Sequence, residues 1–293
     1  MKVFVTGGSG YLGQPVIRAL RQQGHDVAAL ARSEAAAAAV SRLGAAAVRG
    51  GLGDLGTLRD AAAAADGVIH LAQDRGPRVA ETDQAAAQAM QDGVGAGPYV
   101  HTSGAWVYGD TGGTVDESAP FAPPPVVAWR LANEERVLAR AGAGGHPVIV
   151  MPGLVYGYGA GLIEQFFTAP ARSRRTVRYI GDGTSHWALV HVDDIAGLYA
   201  RALAAPAGAA YVGVGEPAPT VGQIAGALSQ AAGCPGRTES ITLDEARREM
   251  GPIADAFALD QQLSSARARA ELGWPLPRRD VLAELAAVAP AGS

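Results

Sequence analysis

The sequence is poor in lysine and cysteine and contains no long apolar run. Lys2 is the single lysine, so the remaining basic side chains are arginines. Cys234 is the single cysteine, which excludes an internal disulfide and is typical of a reducing compartment. The apolar runs fall short of the roughly 20 residues that cross a bilayer, and the opening MKVFVTGG lacks a signal-peptide pattern. We therefore predict a cytoplasmic protein without a membrane partner.

The charge balance is mildly acidic. The 293 residues carry 28 acidic and 24 basic side chains, for a net charge of −4, and no basic stripe appears. Nucleic acid is therefore not an expected partner. With 48% of the residues hydrophobic, the chain is long enough to bury a sizeable core, as one large domain or two coupled ones. These features favour a globular protein that acts on a small-molecule substrate.

Short apolar segments alternate with helix-length segments over the first 150 residues. The predicted strands are 2–6, 26–31, 45–49, 67–71, 98–102 and 147–151. The predicted helices are 12–24, 34–43, 55–65, 78–93 and 126–141. This alternation predicts crossover units, and so an α/β doubly wound fold with a parallel sheet and helices on both faces.

The first predicted strand runs into the glycine-rich segment VFVTGGSGYLG, residues 3–13. Gly7 permits a tight turn, Gly10 lets backbone amides approach a pyrophosphate, and Gly13 allows close packing of helix on strand. The helix that follows offers free N–H groups and a positive dipole end. The pattern predicts a dinucleotide site. Its expected contacts are Thr6, Gly7, Gly10, Tyr11, Leu12 and Gly13.

The second strand ends at Arg32, where a carboxylate would hold the adenosine ribose of NAD. A guanidinium can bind a 2′-phosphate bidentately, which predicts NADP rather than NAD. A solvated Arg32 beside a Ser33 helix cap, with Glu34 reaching the ribose, is the alternative. After the third strand, Asp54 and Leu55 suit the adenine edge, although Asp54 could instead cap the next helix.

After about residue 152 the regular alternation of predicted strands and helices ends. The segment MPGLVYGYGAG, residues 151–161, is a glycine-rich connection, and strand candidates at 177–180, 187–190 and 211–214 mix with helices. We predict a Rossmann-type dinucleotide-binding domain over residues 1–155, to which 191–205 return. A smaller C-terminal lobe over 156–293 is predicted to bind the substrate.

The chain resembles the extended short-chain dehydrogenase/reductase superfamily, of the NAD-dependent epimerase/dehydratase type. The resemblance lies in TGGSGYLG (6–13), GDL (53–55), VIHLA (68–72), HTSGAWVYG (101–109), PGLVYGYG (152–159) and HVDDIA (191–196). It implies a Rossmann fold and a nicotinamide cofactor that Leu71, Ala72 and Arg130 also contact. It further implies a homodimer through the helices at about 78–93 and 126–141.

The residues that resemble the family's catalytic positions depart from its pattern. Typical members use a serine that polarises the substrate carbonyl, and a tyrosine whose pKa is lowered by a lysine four residues later. Here Gly104 stands at the serine, Val126 at the tyrosine and Arg130 at the lysine. No tyrosine of this chain has a lysine four residues on. Arg130 could keep a ribose contact, or pair with Glu134 on the helix surface.

The reaction therefore needs another proton donor. Tyr108 is the predicted donor, assisted by Thr102 or Ser103 at the carboxyl end of the fifth strand. The aromatic residues predicted to line the substrate pocket, each with core packing as the alternative, are Trp106, Trp129, Tyr156, Tyr158 and Trp187.

The histidines carry little signal in the sequence. They show no pair at metal-ligand spacing backed by a carboxylate, so no metal is predicted. In HVDDIA, Asp193 or Asp194 is predicted to cap the helix that follows. The leading hypothesis is an NADP-dependent oxidoreductase of a small carbonyl or hydroxyl compound. The alternatives are a non-redox isomerase, dehydratase or cyclase, and a nucleotide-sensing regulator.

Overall fold

The structure, a computed structural model, describes residues 1–74, 76–275 and 280–287. Its strands, in chain order, are β1 (Lys2–Thr6), β2 (Asp26–Ala31), β3 (Ala46–Arg49), β4 (Gly67–His70), β5 (Pro98–Thr102), β6 (Thr114–Val115), β7 (His146–Pro152), β8 (Leu154–Tyr156), β9 (Val177–Ile180), β10 (Leu189–His191), β11 (Ala210–Gly213), β12 (Thr238–Ile241) and β13 (Gln262–Leu263).

The helices surround these strands. They are α1 (Gly13–Gln22), α2 (Glu34–Arg42), α3 (Leu55–Ala63), α4 (Val79–Val94), α5 (Pro125–Ala139), α6 (Gly161–Ile163), α7 (Ala169–Arg174), α8 (Val192–Ala202), α9 (Val221–Ala231), α10 (Leu243–Met250), α11 (Ala254–Phe257), α12 (Ala266–Leu272) and α13 (Val281–Ala287). A 3₁₀ helix spans Ala105–Tyr108, and a π-helical turn spans Glu164–Thr168.

Seven parallel strands form the central sheet in the order β11-β7-β5-β4-β1-β2-β3. The predicted α/β fold with a parallel sheet is confirmed. Strand β1 illustrates why it forms, because Val3, Phe4 and Val5 are all fully buried, as a strand covered by helices on both faces requires.

The sheet contains one strand that the sequence prediction had placed in the C-terminal lobe. Strand β11 pairs with β7 at the sheet edge, although 211–214 was assigned to the lobe. Tyr211 and Val212 are fully buried, one in the apolar layer on each face of the sheet. A short apolar run does not reveal which sheet it joins. The predicted boundary at residue 155 therefore omits a strand of the main sheet.

Three apolar clusters hold the chain together. On one face of the sheet, α1 and α8 pack with Ile17 and Tyr199 at the centre. On the other face, α3 and α4 contribute Leu58 and Met90. The third cluster lies in the C-terminal part around Phe257. Among the described residues, no helix has both the length and the hydropathy that crossing a bilayer requires.

Candidate cofactor and substrate site

The turn between β1 and α1 is built for close backbone approach. Gly7 has φ +71°, and a Cβ there would lie 2.9 Å from the backbone nitrogen of Ala72. A Cβ at Gly13 would overlap the carbonyl oxygen of Gly7. At Gly10, by contrast, a Cβ would meet just that same carbonyl oxygen, at 3.1 Å. Gly7 and Gly13 thus serve close packing. Gly10 is crowded by one carbonyl oxygen and leaves room on its other sides for a ligand to approach.

The start of α1 leaves its backbone donors unused by side chains. Leu12 occupies the N-cap position, and its side chain makes no capping hydrogen bond. The first turn of the helix contains no acidic residue. Free N–H groups at the positive end of a helix dipole suit an anion, and Gly10 lies three residues before this helix. This geometry suits an anionic group such as a pyrophosphate.

Tyr11 joins the glycine turn to the glycine-rich loop of the C-terminal lobe. Its hydroxyl donates to the carbonyl oxygen of Gly157, at 2.9 Å. A Cβ at Gly161, where φ is +82°, would lie 2.8 Å from the Tyr11 ring. Burial, with the nearby charge of Asp193, raises the pKa of Tyr11 above its usual value. The phenol therefore stays protonated and holds the two segments together.

Thr6 ties the end of β1 to the end of β4. Its hydroxyl oxygen accepts hydrogen bonds from the backbone N–H groups of Leu71 and Ala72, each at 3.2 Å. The hydroxyl also lies 2.6 Å from Nδ1 of His70. Because its oxygen already accepts two bonds, its own proton goes to that nitrogen. Thr6 is fully buried and so positions Leu71 and Ala72 opposite Gly7.

Arg32 lies in an exposed position directly after β2. It forms no ion pair or hydrogen bond with the part of the chain that the structure describes. Glu34 instead pairs with Arg49, at 2.8 Å, and both side chains are exposed. Ser33 accepts a hydrogen bond from the backbone of Ala36, at 3.2 Å, so the expected cap of α2 is confirmed. The guanidinium of Arg32 is thus free at the edge where the adenosine ribose would lie.

Asp54 closes the loop after β3. Its Oδ2 accepts a hydrogen bond from the backbone N–H of Gly51, at 2.6 Å. The carboxylate makes no bond to the start of α3, so the alternative that Asp54 caps this helix through its side chain is wrong. Leu55, the first residue of α3, is 38% exposed. Both side chains therefore remain at the surface beside the end of β3.

Arg130 is held at the carboxyl end of β5. Its Nη1 donates to the carbonyl oxygen of Thr102, at 2.9 Å, and its Nη2 to Oε1 of Gln73, at 2.7 Å. The guanidinium carbon lies 4.7 Å from the ring centroid of Trp129. Arg130 and Glu134 form no ion pair, so the alternative of a surface pair is wrong. Two of the five guanidinium N–H groups are used, and the others remain for a ligand.

The hydroxyls of Tyr108 and Thr102 are both engaged inside the protein. Tyr108 is 2% exposed and donates to the sulfur of Met151, at 3.5 Å. Thr102 donates to the carbonyl oxygen of His70, at 2.7 Å, and accepts from the hydroxyl of Tyr199, at 3.0 Å. The 3₁₀ turn directs the Tyr108 ring into the core. The prediction that Tyr108 donates the proton with help from Thr102 does not fit this geometry.

Ser103 points toward Glu134 on α5, an acid that the sequence prediction considered just as a surface partner. Ser103 Oγ and Glu134 Oε1 are buried and make no hydrogen bond with the described residues. Burial raises the pKa of Glu134 to about 7, although the Ser103 hydroxyl and the charge of Arg130 oppose this rise. Ser103 is 3% exposed, so it does not present its hydroxyl to a cleft. In the sequence, the one feature that points to Glu134 as a site residue is its position one helical turn after Arg130.

A buried carboxylate lies between two histidines beneath this edge of the sheet. Asp83, on α4, places Oδ1 3.4 Å from Nε2 of His70 and Oδ2 3.7 Å from Nε2 of His101. Asn133 donates to the same Oδ2, at 3.0 Å. The sequence shows no histidine pair at metal-ligand spacing backed by a carboxylate, yet the fold brings such a pair together in space. Spacing could not reveal the cluster, because its members come from β4, α4 and β5.

The protons of this cluster follow from its hydrogen bonds. The proton of Thr6 goes to Nδ1 of His70, which leaves the hydrogen of that ring on Nε2, facing Asp83. Burial lowers the pKa of His101 to about 3, so this ring is neutral. Burial alone would raise the pKa of Asp83, but the close His70 ring, the nearby His101 ring and the hydrogen bond from Asn133 hold it well below its usual range. The three ligand atoms lie close enough for a cation, but binding would require loss of the Nε2 proton of His70.

The aromatic side chains divide into packed and accessible groups. Tyr156 is buried against His191, and Trp187 is buried and donates to the carbonyl oxygen of Phe257, at 3.0 Å. Trp106 is half-buried, and Tyr158 is 63% exposed. Core packing thus describes Tyr156 and Trp187, while Trp106 and Tyr158 keep surface for a ligand, as does Trp129 beneath Arg130.

The loop that carries Tyr158 is held by the start of α8. The Tyr158 hydroxyl donates to the carboxylate of Asp193. The helix is capped by His191, whose Nδ1 accepts from the backbone N–H of Asp193, at 3.2 Å. The prediction that Asp193 or Asp194 supplies the cap is therefore wrong. An imidazole nitrogen takes this role because His191 directly precedes the helix.

Sequence comparison places the chain among known proteins. The model of the NAD dependent epimerase/dehydratase family matches residues 3–213. A 2-alkyl-3-oxoalkanoate reductase from Stenotrophomonas maltophilia is 30% identical over 277 residues, which cover 87% of this chain and 82% of the relative. An uncharacterized protein of Schizosaccharomyces pombe is 29% identical over 296 residues, 98% of each chain.

Solved structures share the same fold. The dTDP-glucose 4,6-dehydratase DesIV of Streptomyces venezuelae, as a double mutant with NAD and DAU bound, has a TM-score of 0.80 and 23% identity over 98% of this chain and 95% of its own. A human epimerase family protein with NADPH has a TM-score of 0.77 and 20% identity over 99% of both chains. The chain belongs to the NAD-dependent epimerase/dehydratase family.

Proposed function

We propose that this protein is an NADP-dependent oxidoreductase of a small carbonyl or hydroxyl compound. The observation that carries the choice of NADP is Arg32, an exposed guanidinium without a described partner at the end of β2. The nearest acidic alternative, Glu34, is paired with Arg49. The reductase from Stenotrophomonas maltophilia supports redox chemistry in a relative of this chain. The proposal includes a cytoplasmic location, for which the single, free Cys234 is the supporting feature.

The residues of the site would bind the cofactor and place a positive charge near the carbonyl oxygen of the substrate. The bound cofactor supplies or accepts the hydride. The turn at Gly7–Gly13 would hold the pyrophosphate, and Arg130, at the carboxyl end of β5, would offer the N–H groups that the described residues leave unused to the rest of the cofactor or to the substrate. A fixed guanidinium there can hold the nicotinamide ribose and stabilise the negative charge that develops on a carbonyl oxygen. Since Thr102 and Tyr108 direct their hydroxyls inward, neither of them supplies the proton of the alcohol product.

A non-redox isomerase, dehydratase or cyclase is the second candidate. The loss of the tyrosine–lysine pair, with Val126 and Arg130 in its place, is the observation that favours it. In that case the dinucleotide would be held without net oxidation or reduction. A nucleotide-sensing regulator, the third candidate, would bind the dinucleotide and turn over no substrate. Consumption of NADPH with a panel of carbonyl compounds separates the first candidate from the other two.

Substitution of Arg32 tests the cofactor assignment. In Arg32→Ala, NADPH binding should weaken by roughly 1.5–3 kcal/mol, the range for a hydrogen bond to a charged group. NADH binding should stay nearly unchanged, because NADH lacks the 2′-phosphate. Arg42→Ala is the matched control, since Arg42 is another exposed arginine, at the end of α2. Isothermal titration of both nucleotides gives the answer, and equal losses for NADPH and NADH would contradict the assignment.

A further inference from the structure

Five aromatic rings, four from the C-terminal lobe and one from the 3₁₀ helix after β5, form one connected wall. Phe257, which is 1% exposed, lies at its centre. Its ring centroid is 4.9–5.6 Å from those of four neighbours. These neighbours are Trp106, Phe166, Phe167 and Trp187. Phe167 and Trp187 are buried, whereas Trp106 and Phe166 are half-buried. The wall therefore offers two fixed aromatic surfaces on a rigid base.

The wall adjoins the edge of the sheet where ligands of this fold bind. Trp106 lies in the 3₁₀ helix that follows β5, and parallel α/β sheets bind ligands outside the carboxyl ends of their strands. Two residues earlier, a Cβ at Gly104 would meet no atom within 4 Å. Gly104 has φ −172° and ψ 150°, which any residue adopts. The glycine is thus required by no backbone conformation, and it leaves open space between the end of β5 and Trp106.

The acidic residue of the turn that carries Phe166 and Phe167 is paired with an arginine. This residue is Glu164, and its partner is Arg172. Farther along, Arg178 pairs with Glu239 and Glu249. The arginines of the lobe with ion pairs to described carboxylates are Arg172, Arg174, Arg178, Arg247, Arg267 and Arg269. Because Glu164 and Arg172 already pair within this turn, an uncharged substrate on Trp106 and Phe166 would leave the pair intact, whereas an anionic one would compete with Glu164 for Arg172.

We infer that the substrate is an uncharged aromatic or bulky apolar ketone whose body lies on Trp106 and Phe166 and whose carbonyl end occupies the space beside Gly104. This inference rests on the proposed oxidoreductase function and names its substrate class. An aromatic ring on the wall gains both area burial and ring–ring contact. A ketone, with a substituent on each side of its carbonyl, needs the space that a glycine leaves.

Binding measurements with NADP⁺-saturated protein test this inference. The probes are 4-phenyl-2-butanone, an uncharged aromatic ketone, and UDP-glucose, an anionic diphosphate sugar. We expect saturable binding of the ketone and none of UDP-glucose. Gly104→Leu, which fills the open space without backbone strain, should weaken ketone binding by about tenfold or more, or about 1.4 kcal/mol. Trp106→Ala should do the same through loss of the ring contact.

Matched controls separate a blocked site from a damaged fold. Gly142→Leu also adds a side chain where no atom lies within 4 Å, in the turn before β7, and should leave ketone binding unchanged. Affinity for NADPH should be unaltered in all three variants. Binding of UDP-glucose in preference to the ketone, or unaltered ketone binding in Gly104→Leu, would overturn the inference. Failure of the unmodified protein to bind NADPH would instead overturn the proposed function.

Discussion

The hydroxyl of Tyr108 donates to the sulfur of Met151 inside the apolar layer that α3 and α4 cover. Removal of this oxygen loses one weak bond and exposes no charge. Tyr108→Phe should therefore leave NADPH consumption within about twofold of the parent and change the free energy of unfolding by about 1 kcal/mol or less. Steady-state kinetics and urea unfolding measure both. A loss in kcat of about 10²-fold or more, typical of a missing general acid, would restore Tyr108 as the donor.

Glu134 should make the stability of the protein depend on pH. Its folded-state pKa of about 7 lies above the usual value of 4.5, so folding favours the protonated acid. That contribution is complete below pH 4.5 and is lost as the pH rises through 7, by about 3 kcal/mol in all. Glu134→Gln, which stays neutral, should be more stable than the parent at pH 8, and the gain should vanish near pH 5. Urea unfolding at both pH values measures the difference.

The neighbouring acid gives the control for this pH dependence. Glu135 is exposed on the same helix, so Glu135→Gln should change stability little and equally at pH 5 and pH 8. A gain in Glu134→Gln that is the same at both pH values would contradict a raised pKa and indicate a packing effect instead.

Two glycines of the turn between β1 and α1, Gly10 and Gly13, should respond differently to substitution. In Gly10→Val the Cβ would meet the Gly7 carbonyl oxygen at 3.1 Å and no other described atom within 4 Å, so the protein should still fold, while the branched side chain blocks the pyrophosphate and abolishes NADPH binding. In Gly13→Ala the Cβ would overlap the carbonyl oxygen of Gly7, so the melting temperature itself should fall. Thermal unfolding and NADPH fluorescence distinguish the outcomes. A Gly10→Val protein that binds NADPH normally would show that the glycine-rich segment is a turn without a role in nucleotide binding.

The proposed homodimer would form through α4 and α5. Light scattering should then give twice the chain mass of 29.8 kDa at micromolar concentration. Ala132 is exposed on α5, and Ala132→Arg should shift the protein toward monomer, because a long charged side chain would separate the helices. Ala38→Arg, at an exposed position of α2, is the control and should leave the mass unchanged. A parent protein that is monomeric at this concentration would dispose of the dimer.

Local features of this protein were predictable from the sequence, and contacts between distant segments were not. The β1 strand, the glycine turn and α1 follow from a buried apolar run and from glycines at positions 7, 10 and 13. The inward turn of Tyr108 depends on the rotation of one 3₁₀ helix, which no periodicity encodes. The cluster at Asp83 joins residues from three elements of the chain. The orientation of Tyr108 and the cluster at Asp83 could therefore be seen in the folded structure and not in the sequence.

Strand β11 and helix α8 have a consequence for how the chain can be divided. The strand lies at the edge of the central sheet, and the helix covers one face of it, yet both come after the lobe has begun. A fragment that ends near residue 155 would leave β7 as a bare edge with unpaired backbone groups, and its apolar face uncovered. Such an edge invites aggregation. The nucleotide-binding half is therefore not a detachable module, and a chain emerging from the ribosome completes it after residue 213 has been made.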